Sequence, residues 1–134
     1  MLTKLYIMTN KVKTNDVIYK IIGGAMEVYN HLGLGLLESV YHKALNYELN
    51  QRGLFVRSEI PVEVLYKGVS VSNDLKVDLL VDNLVVVELK SVEYLLPVHF
   101  KQLRTYMKLL NLSAGVLINF DVGDFKNGYR VVKS

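Results

Sequence analysis

The sequence predicts an α/β (α+β) fold, a mixed β-sheet flanked by helices, and three observations carry that expectation. Two stretches of helical periodicity open the chain, strand-like segments follow, and a helix and two strands close it, in the order α-α-β-β-β-β-α-β-β. The strand block centres on KVDLLVDNLVVVELK, residues 76–90, where two apolar strands flank an Asp82-Asn83 turn. The 134 residues, 51% of them apolar, suffice for one sizeable core, and no repeat, low-complexity tract or linker divides them.

Each element has its own signal. Residues 1–13 read as an N-terminal arm, either a tail or a short extra strand through Leu5-Tyr6-Ile7-Met8. From Thr14 or Asn15, both suited to an N-cap, Val17, Ile18, Ile21, Ile22, Ala25, Val28, Tyr29 and Leu32 recur at helical spacing up to Gly33. Gly23-Gly24 inside that helix implies close approach of another element or subunit, because a mid-helix glycine costs about 1 kcal/mol relative to alanine. Gly33-Leu34-Gly35 is a tight connection and not a phosphate loop, since no strand precedes it and no GK[ST] follows. A second helix runs from Leu37 to Arg52, with Val40, Tyr41, Ala44, Leu45 and Leu49 inward and Gly53 at its end. Strand signals follow at 54–60, 62–66 and 69–72, with Pro61 demanding a bend or an edge position, and then the hairpin 75–81 and 84–90. Pro97 begins a helix to Leu110, Ala114–Phe120 is a buried strand, and 129–133 is a short last one.

The overall balance narrows the partners. A charged fraction of 22%, a net charge of +3 and a pI near 9.0 describe an ordered soluble protein, compatible with a nucleic-acid partner but without the dense basic tracts that demand one. With no cysteine, disulfides and thiolate zinc sites are excluded, and His31, His42 and His99 lack HExxH spacing. The apolar run near the start is too short for a signal peptide or a membrane span, so the expected location is cytoplasmic, with no membrane partner.

The charges inside the hairpin are the functional signal. Asp78, Glu88 and Lys90 interrupt a greasy run, and Glu88 and Lys90, two apart on a strand, share one face. Such charges are costly to bury unless they are paired, placed at a cleft or bound to a metal. Carboxylates on two neighbouring strands suit a hard divalent cation, which polarises a phosphoryl oxygen and lowers the pKa of a bound water. A lysine at position 90 would orient the attacking water or meet charge developing on the phosphate. On the third helix Phe100, Leu103, Met107 and Leu110 form a core stripe, and Gln102 and Tyr106 share its shoulder. Lys101, Arg104 and Lys108 form a basic stripe away from that shoulder, either a solvated face or a DNA-backbone contact. Glu38 lies in the first turn of the second helix, where the helix dipole favours a carboxylate whatever its role.

Taken together, Asp78…Glu88-Leu89-Lys90 resembles the signature of the PD-(D/E)XK nuclease superfamily, with Val77 where the nominal proline would stand. Gly35-Leu36-Leu37-Glu38-Ser39-Val40-Tyr41 is similar to the motif that names its GxxExxY family. Tyr66-Lys67-Gly68, Leu96-Pro97-Val98-His99 and Leu117-Ile118-Asn119-Phe120 also look like that family, and the likeness covers about residues 15 to 133. The resemblance implies a single domain, residues 1–134, with a restriction-endonuclease-like core. It implies Mg2+ or Mn2+ held by Asp78, Glu88 and the backbone carbonyl of Leu89, with Lys90 as the catalytic lysine and Glu38 as a further acid. Gln102-Leu103-Arg104-Thr105-Tyr106 resembles the QxxxY helix motif of exonucleases in the superfamily, whose side chains line the active site. The implied activity is a metal-dependent nuclease hydrolysing phosphodiester bonds, DNA before RNA. The alternative is a non-catalytic nuclease-fold module that binds nucleic acid or a protein partner. A homodimer through the Gly23-Gly24 helix or an unpaired strand edge is a further expectation.

Without the resemblance, Glu88 and Lys90 read as an ion pair at a sheet edge, Gln102 and Tyr106 as core-edge residues, and His99 as a helix-end hydrogen-bonding residue. A geometric condition separates the readings. In a two-residue Asp82-Asn83 loop, Val81 faces Leu84 and Asp78 faces Val87, which turns Glu88 to the far side of the sheet. A three-residue loop or a bulge sets Asp78 opposite Glu88, and that irregular turn is the prediction.

Overall fold

The computed structural model describes residues 2–134. The chain runs α1 (Leu2–Leu32), α2 (Glu38–Gln51), β1 (Val56–Tyr66), β2 (Val69–Val81), β3 (Val85–Lys90), α3 (Pro97–Leu109), β4 (Ala114–Asn119), a 3-10 turn at Phe125–Asn127 and β5 (Tyr129–Lys133). The five strands lie in one sheet in sequence order. All neighbours are antiparallel except β3 and β4, which run parallel and are joined by the α3 crossover. The first two helices cover one face, with Ile21, Ala25, Leu45 and Leu49 against Leu79 and Val87. The opposite face carries α3, with Leu103 and Met107 against Val86 and Leu117. This is the expected mixed sheet between helices. Among the described residues no helix is long and apolar enough to cross a membrane.

Several segments that look separate in the sequence are continuous. The pieces around Pro61 join as β1, an edge strand, where proline's missing N–H deprives no second neighbour. Residues 69–72 and 75–81 likewise join as β2. The N-terminal arm is neither a tail nor a strand, because residues 2–13 extend α1. Nothing in 2–13 breaks a helix, and leucine, lysine and methionine favour one. What the arm lacks is a core-facing stripe, since Leu5, Tyr6, Met8 and Val12 are exposed. The close neighbour of Gly23-Gly24 is α2 of the same chain. A Cβ on Gly24 would lie 2.6 Å from Leu49 Cδ2, and one on Gly23 would lie 3.2 Å from Arg52 Nη1.

Along β1 and β2 the inward-facing residues change sides at one level. Val56 and Leu79 belong to the α1/α2 core, whereas Ile60, Val62, Leu75 and Val77 pack on the α3 side. Ser58 pairs with Leu79 and Ile60 with Val77, so the change falls at Glu59 and Asp78. Glu59 takes a φ of 50°, which interrupts the strict alternation of a strand. The sheet is therefore irregular at the level of its interior acid.

Candidate active site

The turn after β2 sets the register of everything beyond it. Val81 pairs with Val85 and Leu79 with Val87, so Asp82-Asn83-Leu84 is a three-residue loop, and one further step places Asp78 opposite Glu88. Asp82 and Asn83 take φ of 51° and 54°, a region that Asp and Asn enter more readily than most residues. Leu84 N–H closes the turn on Val81 O at 3.0 Å. Asp82 is also clamped from outside, its N–H donating to Phe55 O and its carboxylate accepting from Phe55 N–H, each at 2.8 Å. Leu84, the extra residue, packs on the α1/α2 core.

Past Leu79 and Val87 the β2–β3 ladder ends, and the two carboxylates take its place. Asp78 Oδ2 accepts from Leu89 N–H at 2.8 Å, and Glu88 Oε1 accepts from Asp78 N–H at 3.1 Å. The strands are held apart as a fork with one acid from each side. A strand residue's N–H and C=O point to the same neighbour, so the Leu89 carbonyl also turns toward the fork.

Burial and crowding of like charge shape its electrostatics. Glu88 is 3% exposed. Burial first and the Asp78 charge second raise its carboxyl to about 8, against the Asp78 N–H bond and Lys90. Glu38 is also raised, by burial and then by Asp78, while Lys90 and His42 pull it down. Burial and the Glu88 charge raise the Tyr106 hydroxyl as well. These shifts describe one cluster: Asp78 with two glutamates, Glu38 and Glu88, a tyrosine at its edge, and Lys90 as a cation opposing both glutamates.

Gln102 and Tyr106 reach this cluster together. Lys90 Nζ donates to Gln102 Oε1 at 3.2 Å, and Gln102 Nε2 donates to Tyr106 OH at 3.3 Å. Among the described residues Lys90 makes no ion pair with Glu88. Glu38 arrives through the loop before α2. Tyr41 OH donates to Gly33 O at 2.6 Å and accepts from Leu36 N–H at 3.2 Å, while its ring stacks on Phe120 at 4.4 Å. Gly35 has a φ of 97°, which a side chain would strain. The Gly35-x-x-Glu38-x-x-Tyr41 spacing thus has a physical content: a glycine bends the loop, a tyrosine pins it, and the glutamate between them is presented to the fork.

Other candidates lie elsewhere. Lys101, Arg104 and Lys108 are exposed on α3, and Arg104 and Lys108 line a separate hollow with Met107, Asn111 and Leu112. His99 caps its own helix, its Nδ1 accepting from Leu96 N–H at 2.9 Å.

Some residues at the site are absent from the sequence-derived set. A cleft of about 540 Å³ opens beside Asp78 between α2 and β1, lined by Glu38, His42, Lys43, Asn46 and Glu59 among others. His42 and Asn46 follow Glu38 at i+4 and i+8, and that spacing was the available signal. Nothing in the sequence marks Glu59. Asn119, buried, accepts from Val92 N–H at 3.1 Å and donates to Val92 O at 2.8 Å, which fixes the chain just past Lys90.

Among the described residues no three His, Cys, Asp or Glu side chains form a ready-made metal cage. Two carboxylates and a carbonyl fit instead a hard cation that keeps several of its waters. Burial and the adjacent Asp78 charge, which together raise Glu88, are the kind of cost a bound cation offsets.

A family model for the PD-(D/E)XK nuclease superfamily matches residues 15–132, and nucleases of that superfamily generally use divalent metals. No curated protein and no solved structure matches the chain. The matched span takes in the Glu38 helix, both arms of the fork and the Gln102/Tyr106 helix, and the chain belongs to the PD-(D/E)XK nuclease superfamily.

Proposed function

We propose that the protein is a divalent-metal-dependent nuclease of the GxxExxY family that hydrolyses phosphodiester bonds, in DNA before RNA. The observation that carries this reading is the fork, where Asp78 faces Glu88 across an opened ladder and Gln102 holds Lys90. In this reading Asp78, Glu88 and the Leu89 carbonyl hold Mg2+ or Mn2+. When bound, the ion supplies Lewis acidity toward a phosphoryl oxygen and a more acidic water.

The remaining work falls to the chain's own groups. Lys90 Nζ orients the attacking water or meets charge that develops on the phosphate. Gln102 and Tyr106 fix where that ammonium sits. Glu38, its carboxyl raised by burial and by Asp78, is placed at the cleft to hold or release a proton at its carboxylate oxygens. Lys43 in the cleft and Lys101, Arg104 and Lys108 on α3 contribute phosphate attraction without base readout.

The test is cleavage of plasmid, deoxyribo- and ribo-oligonucleotides with Mg2+ or Mn2+, wild type beside Lys90→Ala. The expected result is metal-dependent cutting that falls by about 10²- to 10³-fold in the variant. Equal rates in both preparations would assign the cutting to a contaminant. Wild type that binds DNA but leaves it intact with either metal would make the domain a binding module.

A further inference from the structure

The outer side of α1 carries a pattern that the active site does not use. Leu5, Val12, Tyr19 and Met26 follow one another every seven residues, and all four are exposed, Val12 at 70% and Tyr19 at 79%. Met8 adds an exposed apolar side chain three residues after Leu5. These positions lie off the inner stripe of Val17, Ile18, Ile21, Ala25 and Val28, which packs into the chain's own core. Leu5 and Met26 bracket three heptads, roughly 30 Å of helix at 1.5 Å per residue.

A seven-residue apolar repeat has a defined partner. It keeps one seam facing a second helix that supercoils around the first, whereas a membrane surface requires a broad apolar face. Tyr6 and Ile7 widen the exposed apolar surface at the start of α1, but beyond Met8 the seam is narrow, with Thr9 and Asp16 on one flank and Lys4 and Lys11 on the other. With Leu5 at heptad position a, Lys4 and Lys11 occupy g, and Thr9 and Asp16 occupy e. In a parallel pair a g residue meets the e residue five positions later on the partner helix, so Lys11 of each chain meets Asp16 of the other, sharing its exposed carboxylate with Lys20 of Asp16's own helix. An antiparallel pair would set g against g, lysine against lysine. Asn15, at a d position, is bonded to Lys133 of its own chain, and Ile22, at the next, turns into its own core. The open seam is therefore the part from Leu5 to Tyr19, with Met26 beyond it.

We propose that α1 pairs in parallel with α1 of a second copy as a two-stranded coiled coil along Leu5, Met8, Val12 and Tyr19. None of these residues touches the fork, so the proposal stands apart from the nuclease reading. The chain has no cysteine, which makes single-cysteine variants a direct readout of register. For the 134-residue chain, light scattering is expected to give twice its 15.3 kDa mass. Val12→Cys is expected to cross-link to itself on mild oxidation, while Tyr47→Cys, exposed on α2, is not. Val12→Glu with Tyr19→Glu is expected to yield a monomer with unchanged helical circular dichroism. Lys11→Glu is expected to weaken the dimer at least several-fold, and Lys11→Glu with Asp16→Lys to restore it. A wild-type monomer at tens of micromolar would overturn the proposal, as would a dimer that Val12→Cys does not cross-link. A monomer that binds phosphatidylserine vesicles through Val12 and Tyr19 would assign the seam to a membrane surface and overturn it equally.

Discussion

The Val77–Lys90 hairpin and the first half of α1 invert the usual arrangement in opposite ways. The hairpin takes charge inward: Val85, Val86, Val87 and Leu89 are fully buried, and Glu88 is buried among them. The arm takes apolar side chains outward, with Leu5, Met8 and Val12 exposed on a helix that has no core beneath them. Both departures cost something, desolvation in the hairpin and apolar exposure in the arm. Under the two proposals above, the partner that offsets the cost is a small hard cation for the hairpin and another helix for the arm. The difference lies in what holds each misfit in place. Glu88 is held by the packing of the whole sheet, whereas Leu5, Met8 and Val12 of the arm pack on neither core.

The largest expected effect tests that difference directly. Leu89→Ala should lower unfolding stability by about 2–5 kcal/mol, because it empties a fully buried site. Leu5→Ala, at protein concentrations low enough for monomer, should stay within about 0.5 kcal/mol. Chemical denaturation of both variants checks the pair, and similar losses would mean that the arm is packed on the domain.

A second effect, on the order of a few kcal/mol, comes from pH. Glu88 is raised from 4.5 to about 8, so the folded chain keeps a proton that the unfolded chain releases in between. Its contribution is therefore full below the lower value and is lost as pH rises toward the upper one. In chelator, thermal unfolding should shift downward from about pH 5 to about pH 8. Glu88→Gln should flatten the profile, and Mn2+ should restore wild type at the alkaline end. A profile with the same slope in wild type and Glu88→Gln would remove Glu88 as the source of the misfit.

The smallest effect concerns backbone strain. Glu59→Gly should stabilise the fold by up to about 1 kcal/mol, since glycine adopts the φ of 50° without a Cβ penalty. Unchanged or lower stability would show that the carboxylate beside Asp78 offsets the strain of its own backbone.

Much of the fold was legible because periodicity reports burial. The α3 face, most of the α2 face, the β3 and β4 strands and the shared shoulder of Gln102 and Tyr106 follow from spacing alone, whereas Val40, expected inward on α2, is exposed. The early part of α1 was not legible, because a helix without a core-facing stripe sends no periodic signal toward the core. Joining the pieces of β1 depended on Pro61 lying at a sheet edge, which strand order decides. His42 and Asn46 were readable only once Glu38 had been chosen as the origin of the count. Glu59 was not readable, since its importance comes from the residue across the sheet.

By itself the sequence determined α2, α3 and the later part of α1, the apolar hairpin and the need for an irregular turn, because each depends on residue type and short-range spacing, while the six candidate positions also needed the family motifs. Only the tertiary structure decided that Leu84 joins the loop, that the β2–β3 ladder opens at Asp78, and that Lys90 meets Gln102. Those outcomes depend on the Phe55–Asp82 clamp, the register of β1 and the packing of α3, which are contacts between residues far apart in the chain. A charge pattern states which groups are out of place; long-range packing decides what they face.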